Sequence, residues 1–436
     1  MRKSPASADH NFERFKEIIM RLPATAQHKK KPASRGVFYR NSAWLHLWLG
    51  LMSGLIMIIV CLTGCIWVFE DEITSLLEPE TKVAYQNKAV LPPSALMSIA
   101  NTLYPDKKPN YATYQQGEAA YLVLGEGRTG NTVLRVNPYS GEIVSKKELK
   151  KGETDFFRFI LNGHRFLWLP PEIGRPIVNY GTLIFMIILV TGMVLWWPKK
   201  WNKTTRDQSF KIKWKASFKR VNYDVHNVLG FYSLLVLVAI GFTGMVYGIQ
   251  WWSKSLYWVT SGGQTMQEFK RMSSDSTNIG KYFTAAEVMD KTWNEISSKH
   301  PEAQGFYYAF ANPERPASPI SITIYPTAGK YYNNRSFAFD QHTGKQLKGN
   351  PMYEKSYEEG TFGTKLRRMN YEIHVGSILG LPGKFLAFFA SLIGASLPVT
   401  GFMVWWGKRK KKSKVRISVP AAVRKREVEE AAVLTL

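Results

Sequence analysis

Four stretches of the chain contain no Asp, Glu, Lys or Arg: residues 44–69, 176–197, 225–253 and 385–407. A helix needs roughly 20 apolar residues to cross a ~30 Å hydrocarbon core, and each stretch is long enough. Inside hydrocarbon every backbone N–H and C=O must be satisfied within the segment, so these runs are expected to be helices. The fold class expected is therefore membrane α-helical: a four-transmembrane-helix bundle with spans at 44–70, 176–198, 226–252 and 380–406.

Charge orients the bundle. The net charge of +25 is concentrated in residues 1–43, 198–225 and 407–436, which carry 29 basic against 8 acidic residues, or +21. All three segments flank spans, as the positive-inside rule requires of cytoplasmic loops. This places a basic tail (1–43), a basic loop (199–225) and a second tail (407–436) in the cytoplasm of a bacterial inner membrane. Residues 71–175 and 253–379 then lie outside. A nucleic-acid partner would want its basic residues clustered on a folded domain, so none is expected; the partner surface is the lipid bilayer. The first apolar run is too long for a cleaved signal peptide. Cys61 and Cys65 both fall inside it and read as small packing residues.

Self-comparison reveals a duplication. Each span is preceded by a histidine (His46, His164, His226, His374) and finishes with Thr-Gly (Thr63-Gly64, Thr191-Gly192, Thr243-Gly244, Thr400-Gly401). The distance from histidine to threonine is 17 residues in spans 1 and 3, but 27 and 26 in spans 2 and 4. Each histidine has an arginine six residues earlier: Arg40, Arg158, Arg220 and Arg368. Two lead-ins are nearly the same text, R-V-N-Y-D-V-H ending at His226 and R-M-N-Y-E-I-H ending at His374. The outer segments repeat too. Helices are expected at 94–104 and 284–300, and strands at 119–136 and 305–339. Similar turns follow, N-P-Y-S-G-E from Asn137 and D-Q-H-T-G-K from Asp340. Two small α+β periplasmic domains are the simplest reading.

Topology pairs the histidines. His46 and His226 open spans 1 and 3 near the cytoplasmic face; His164 and His374 precede spans 2 and 4 near the outer face. Two neutral imidazoles from facing helices suit a six-coordinate haem. Zinc or copper would usually ask for further ligands. The absence of a C-x-x-C-H motif makes any haem non-covalent, so two haem b groups are expected, with the four histidines as iron ligands. Arg40, Arg220, Arg158 and Arg368 are candidates to neutralise propionates. Gly50 and Gly230, one turn beyond the inner histidines, would leave room for a flat macrocycle; Gly50 and Gly54 also form a G-x-x-x-G that would suit close helix packing. The Thr-Gly pairs read as structural, the threonine returning its hydroxyl to the helix backbone. A straight helix from His164 to Thr191 would be about 40 Å long. Pro170, Pro171, Pro176 and Pro382 therefore predict that the lead-in helices bend.

The two outer segments with their N-P-Y-S-G-E and D-Q-H-T-G-K turns, the H-x-x-x-G starts at His46 and His226, and the Thr-Gly helix ends resemble the PepSY-associated transmembrane family over about residues 36–407. Its ferric-siderophore reductase branch carries haem in the membrane and reduces iron chelates in the periplasm. The resemblance thus implies an oxidoreductase that releases Fe(II) from a ferric siderophore. No flavin-reductase domain follows residue 407, so the electron donor would be separate, a cytoplasmic flavoprotein or membrane quinol. PepSY modules in protease propeptides are associated with inhibition, which gives the alternative: a cofactor-free anchored module that binds or inhibits a periplasmic protease. A transporter is disfavoured because the four apolar stretches hold no Asp, Glu, Lys or Arg to mark an ion pathway. Residues 10–22, with Phe12, Phe15, Ile18, Ile19 and Leu22 on one face, suit a short basic amphipathic helix.

Overall fold

The computed structural model describes residues 36–125, 130–269, 272–312 and 314–417, with 409–417 described by backbone alone. The amphipathic segment at 10–22, and most of both basic tails, lie outside the described residues. The chain runs α1 (Val37–Trp67), α2 (Pro93–Leu103), β1 (Pro109–Gln115), β2 (Ala120–Leu124), β3 (Thr132–Val136), β4 (Ile143–Glu148), α3 (Phe156–Phe166) and α4 (Pro171–Trp196). It continues through α5 (Lys203–Phe210), α6 (Phe218–Val246), α7 (Ala285–Lys299), β5 (Gly305–Ala309), β6 (Ile320–Tyr325), β7 (Arg335–Phe339) and β8 (Gln346–Leu347), then α8 (Phe362–Arg368), α9 (Asn370–Val375) and α10 (Gly380–Ile417).

Helices α1, α4, α6 and α10 are long and apolar enough to cross a membrane. They form a closed ring in which α1 packs on α4 and α10, and α6 on the same two. Met57, Phe185, Met186, Leu189 and Leu237 fill its centre. Exposed Leu55, Val190 and Leu235 face outward, as a lipid-facing surface requires. Small residues set the closest approaches: a Cβ on Gly54 would meet Pro398 at 3.0 Å, and one on Gly241 would meet the Met186 sulfur.

The two outer segments are not separate domains. All eight strands join in one antiparallel sheet of order β4-β3-β2-β1-β5-β6-β7-β8. The seam is β1 against β5, with Thr113 opposite Tyr307. One face is covered by α2 and α7, so that Leu96, Leu122 and Leu134 from the first half share a core with Trp293, Tyr308 and Ile322 from the second. Each such apolar side chain contributes roughly 1.5–3 kcal/mol of burial. An edge strand left open on each half would invite association, and pairing β1 with β5 covers those two, leaving β4 and the two-residue β8 at the ends of the sheet. The two repeat turns match in detail. Asn137 Oδ1 accepts from the Tyr139 and Ser140 N–H groups, and Asp340 Oδ1 from those of His342 and Thr343.

The lead-in helices bend, at Pro170 and Pro171 in the first copy, whereas Pro176 lies inside α4 and Pro382 inside the first turn of α10. Helix α3 stops at Leu167 and Trp168, both left-handed with φ of 55° and 58°, and Pro170 and Pro171 start α4 afresh. The turn is held by the Trp168 indole, which donates to the Phe159 carbonyl (2.9 Å) and lies over Gly163. The second copy reaches the same geometry differently: Gly376 (φ 80°) ends α9, and its backbone packs against Gly383 in the first turn of α10. Both bends return a histidine from the sheet side toward the bundle.

Candidate functional site

The four histidines come together as two pairs, one at each end of the bundle. At the end carrying α5, here the loop end, the ring centres of His46 and His226 are 6.2 Å apart; at the sheet end those of His164 and His374 are 6.1 Å apart. Each pair takes one ring from each repeat.

Every ring is seated the same way, on the Thr-Gly motif of the other helix in its own repeat. His46 Nδ1 lies 3.1 Å from the Ile188 carbonyl and 3.3 Å from Thr191 Oγ1. His164 Nδ1 lies 2.8 Å from the Val60 carbonyl and 3.4 Å from Thr63 Oγ1. His374 Nδ1 meets the Ile240 carbonyl and Thr243 Oγ1, both at 3.0 Å. His226 Nδ1 meets Thr400 Oγ1 at 2.9 Å and bonds the Leu397 carbonyl. In all four the carbonyl lies three residues before the threonine. The threonine hydroxyl donates to its own helix, for example to the Ile59 carbonyl from Thr63 (2.6 Å), so its oxygen presents a lone pair to the imidazole. The following glycine makes the approach possible: a Cβ on Gly64, Gly192, Gly244 or Gly401 would sit 3.1–3.2 Å from the histidine Cε1.

This seating fixes the tautomer. A carbonyl can only accept, so each Nδ1 carries the proton and each Nε2 keeps its lone pair, the arrangement that a hydrogen-bonded carbonyl imposes on ligating histidines. The separations then acquire chemical meaning. Two imidazoles bound on opposite sides of one metal, with bonds of about 2.0–2.1 Å and about 1.2 Å from nitrogen to ring centre, have centres about 6.4–6.6 Å apart. Among the described residues no cluster of three or more His, Cys, Asp or Glu could hold a metal, so any metal here would draw its remaining ligands from elsewhere.

At the loop end the rings border a cavity of about 450 Å³ lined also by Gly50, Gly230, Gly192, Gly401, Tyr39 and Lys408. A Cβ on Gly50 would meet nothing within 4 Å, and one on Gly230 only the Leu397 side chain at 3.6 Å. These two glycines therefore leave space, whereas Gly54 is the close-packing member of the G-x-x-x-G.

The four arginines do not behave alike, although their spacing is the same. Arg368 is buried and spends its guanidinium on the Tyr332, Asn334, Met352 and Lys355 carbonyls, so it is not available to an anionic ligand. Its neighbour Arg367, about 100° away around α8, has a buried Nε without a hydrogen-bond partner. Arg220 is paired with buried Asp224 (2.9 Å). Arg40 is exposed on the first turns of α1, and the charge of Arg158 acts on Tyr111, Tyr121 and Glu70 beneath the sheet.

Three features of the site escape a reading of single motifs. One is the role of the Thr-Gly pairs just described. Another is Asn222 and Asn370, four residues before His226 and His374, which donate to the Thr400 and Thr243 carbonyls and tie each histidine's helix to its seat. The signal for both was their strict repetition. The last is a run of tyrosines on the sheet face opposite the core. Tyr121, Tyr111 and Tyr307 adjoin across β2, β1 and β5, and Tyr325, Tyr331 and Tyr371 follow at ring separations of 5.7 and 5.5 Å. Tyr371 lies on α9, three residues before His374.

These features define a membrane protein in which a four-helix bundle carries an α/β sheet at one end and a facing histidine pair at each end. The chain belongs to the PepSY-associated TM region family, which matches residues 43–408 and so takes in the bundle and the sheet together. A search of curated proteins finds no match.

Proposed function

We propose that the protein carries electrons across the bacterial inner membrane, through two non-covalent haem b groups, to a ferric chelate of the siderophore type on the sheet side. The observation that carries this reading is the pair of ring separations, 6.1 and 6.2 Å, between imidazoles whose Nδ1 atoms are all already engaged. His46 and His226 would hold one haem and His164 and His374 the other, each supplying a one-electron Fe(III)/Fe(II) couple. A pair of nitrogens with no third protein ligand suits a metal whose other four ligands are a macrocycle's own. Lys408, which lines the loop-end cavity, and Arg40, Arg367 and Arg158 are the cations that would be available to its carboxylates.

The chain's own residues do the rest. The Thr-Gly seats hold the imidazoles still, so little reorganisation accompanies a change of charge. His46 and Thr63, which seats His164, are 17 residues apart on α1, which spaces the two sites about 25 Å along the axis. The tyrosine face, with Arg135 lying 4.4 Å over the Tyr121 ring, offers a polar aromatic surface for a chelate beside His374. Reduction to Fe(II) weakens binding by hard oxygen ligands, and the iron leaves. The basic loop and tails place the loop end in the cytoplasm, where a flavoprotein or membrane quinol acts as donor.

The test is a reduced-minus-oxidised absorbance spectrum of the purified protein with haem quantified per chain. Two haems per chain, falling to one in His46→Ala and in His374→Ala, is the expected result. Folded protein from haem-replete cells that carries none would overturn the reading and favour the alternative, an anchored PepSY module that binds a periplasmic protease.

A further inference from the structure

A second concavity opens beside the loop-end histidine cavity. It is a groove of about 570 Å³ between the first turn of α1 and the last turn of α4, lined by Gly36, Tyr39, Met193, Val194, Trp197 and Lys199 among others. Tyr39 and Met193 line the histidine cavity as well, so one layer of side chains separates the two spaces. Tyr39 precedes His46 by seven residues, two turns and about 10 Å along the same face of α1.

The groove's level matters. Helix α4 ends at Trp196, Trp197 is 56% exposed, and the first charges of the loop follow at Lys199. A tryptophan followed by lysines marks the boundary between hydrocarbon and water. A ligand here meets an apolar floor of Met193, Val194 and Trp197 and, at the rim, a phenol and an ammonium group. The volume suits a single small molecule. We propose that this groove binds a lipid-phase hydroquinone, its ring against Trp197 and its hydroxyls toward Tyr39 and Lys199, as the electron donor to the His46–His226 centre. The inference rests on the haem reading and chooses between its two donors. A soluble flavoprotein would present its ring from water and leave a lipid-level groove unused.

The step balances. The hydroquinone's two O–H bonds break, it becomes the quinone, and both protons pass to water at the loop end. Its two electrons would leave singly by way of the groups held at the two histidine pairs, and two ferric ions at the sheet end would take them up to become Fe(II).

The test uses the full-length protein in phospholipid vesicles. On illumination, an azido-substituted quinone is expected to label residues within 36–39 and 193–199, with the label competed by unlabelled quinone. Labelling should fall about tenfold in Val194→Trp, which fills the groove, and in Trp197→Ala, which removes its wall; neither residue borders the histidine cavity. This readout does not depend on haem. On the same samples, haem content and dithionite-reducible absorbance should be unchanged, while reduction by hydroquinone slows about tenfold. Label outside these segments overturns the inference, as does hydroquinone reduction that both variants leave unaltered or reduction by a flavoprotein alone. A labelled groove in protein that binds no haem would instead overturn the haem reading.

Discussion

At the residue scale the unit of construction is not a histidine but a triad of His, Thr and Gly drawn from two helices. The glycine admits the ring, the threonine and a carbonyl hold Nδ1, and Nε2 keeps its lone pair, which on the proposed reading would bind a metal. A methyl group on Gly192 would push into His46 Cε1 at 3.1 Å, so Gly192→Ala is expected to cost the loop-end site alone, leaving one haem per chain. Loss of a contact that orients a ligating histidine typically weakens metal affinity by about 10–100-fold. Haem content unchanged at two would remove the glycine from the site. Thr400→Val is a finer probe, because it keeps the shape and deletes the 2.9 Å contact to His226 together with the hydroxyl's own bonds to the Ser396 and Leu397 carbonyls. A hydrogen bond worth about 0.5–1.5 kcal/mol corresponds to roughly 20–65 mV in a one-electron couple. A shift of that size in redox titration, restored by Thr400→Ser, distinguishes tuning from packing. The histidines and Thr-Gly pairs were legible in the sequence as a repeat, but their contact was not, since each pair meets across more than 100 residues. At Arg368 the arginine spacing misled for a simple reason: six residues on a continuous helix fix a direction, and α8 breaks at Met369, before His374.

At the element scale the informative strand is β1. Its sequence P-N-Y-A-T-Y-Q alternates Ala112 and Tyr114 toward the core with Tyr111 and Thr113 away from it, so neither face reads as apolar and the strand is faint in the sequence. Yet β1 decides whether the outer segments make two domains or one, and its partner β5 lies nearly 200 residues on. Local sequence carries no record of such a pairing. The bends were legible, because proline and the difference between 17 and 27 residues both report chain that does not run straight. The shared core predicts shared stability. Leu122→Ala removes a fully buried side chain and is expected to cost about 2–5 kcal/mol. Hydrogen exchange should then rise in β5–β7 and α7 as well as in β1–β4. Exchange confined to the first half would mean that the seam does not couple the two.

At the scale of the whole molecule, charged groups gather where the start of α10 meets the segment after α1, and they set a pH dependence. Lys384, at the start of α10, is buried and pairs with Glu72 (2.8 Å) and Asp71 (3.4 Å) in the segment after α1. Glu70 lies in the same junction. Burial, reinforced by Asp71 and Asp155, pushes its carboxyl up to about 7 against the pull of Arg158 and Lys384. The proton is therefore bound more tightly in the folded protein than in the unfolded chain, whose carboxyl titrates near 4.5. Between those two values the folded state holds more protons, so stability falls as pH rises, by an amount on the order of 1–3 kcal/mol, and levels off above about 7. Glu70→Gln imitates the protonated form. The variant should match the wild type in thermal unfolding near pH 5 and exceed it near pH 8, with the difference growing across that window. Equal unfolding temperatures at pH 8 would show that Glu70 reaches water once charged, and that the junction opens to solvent without loss of the fold.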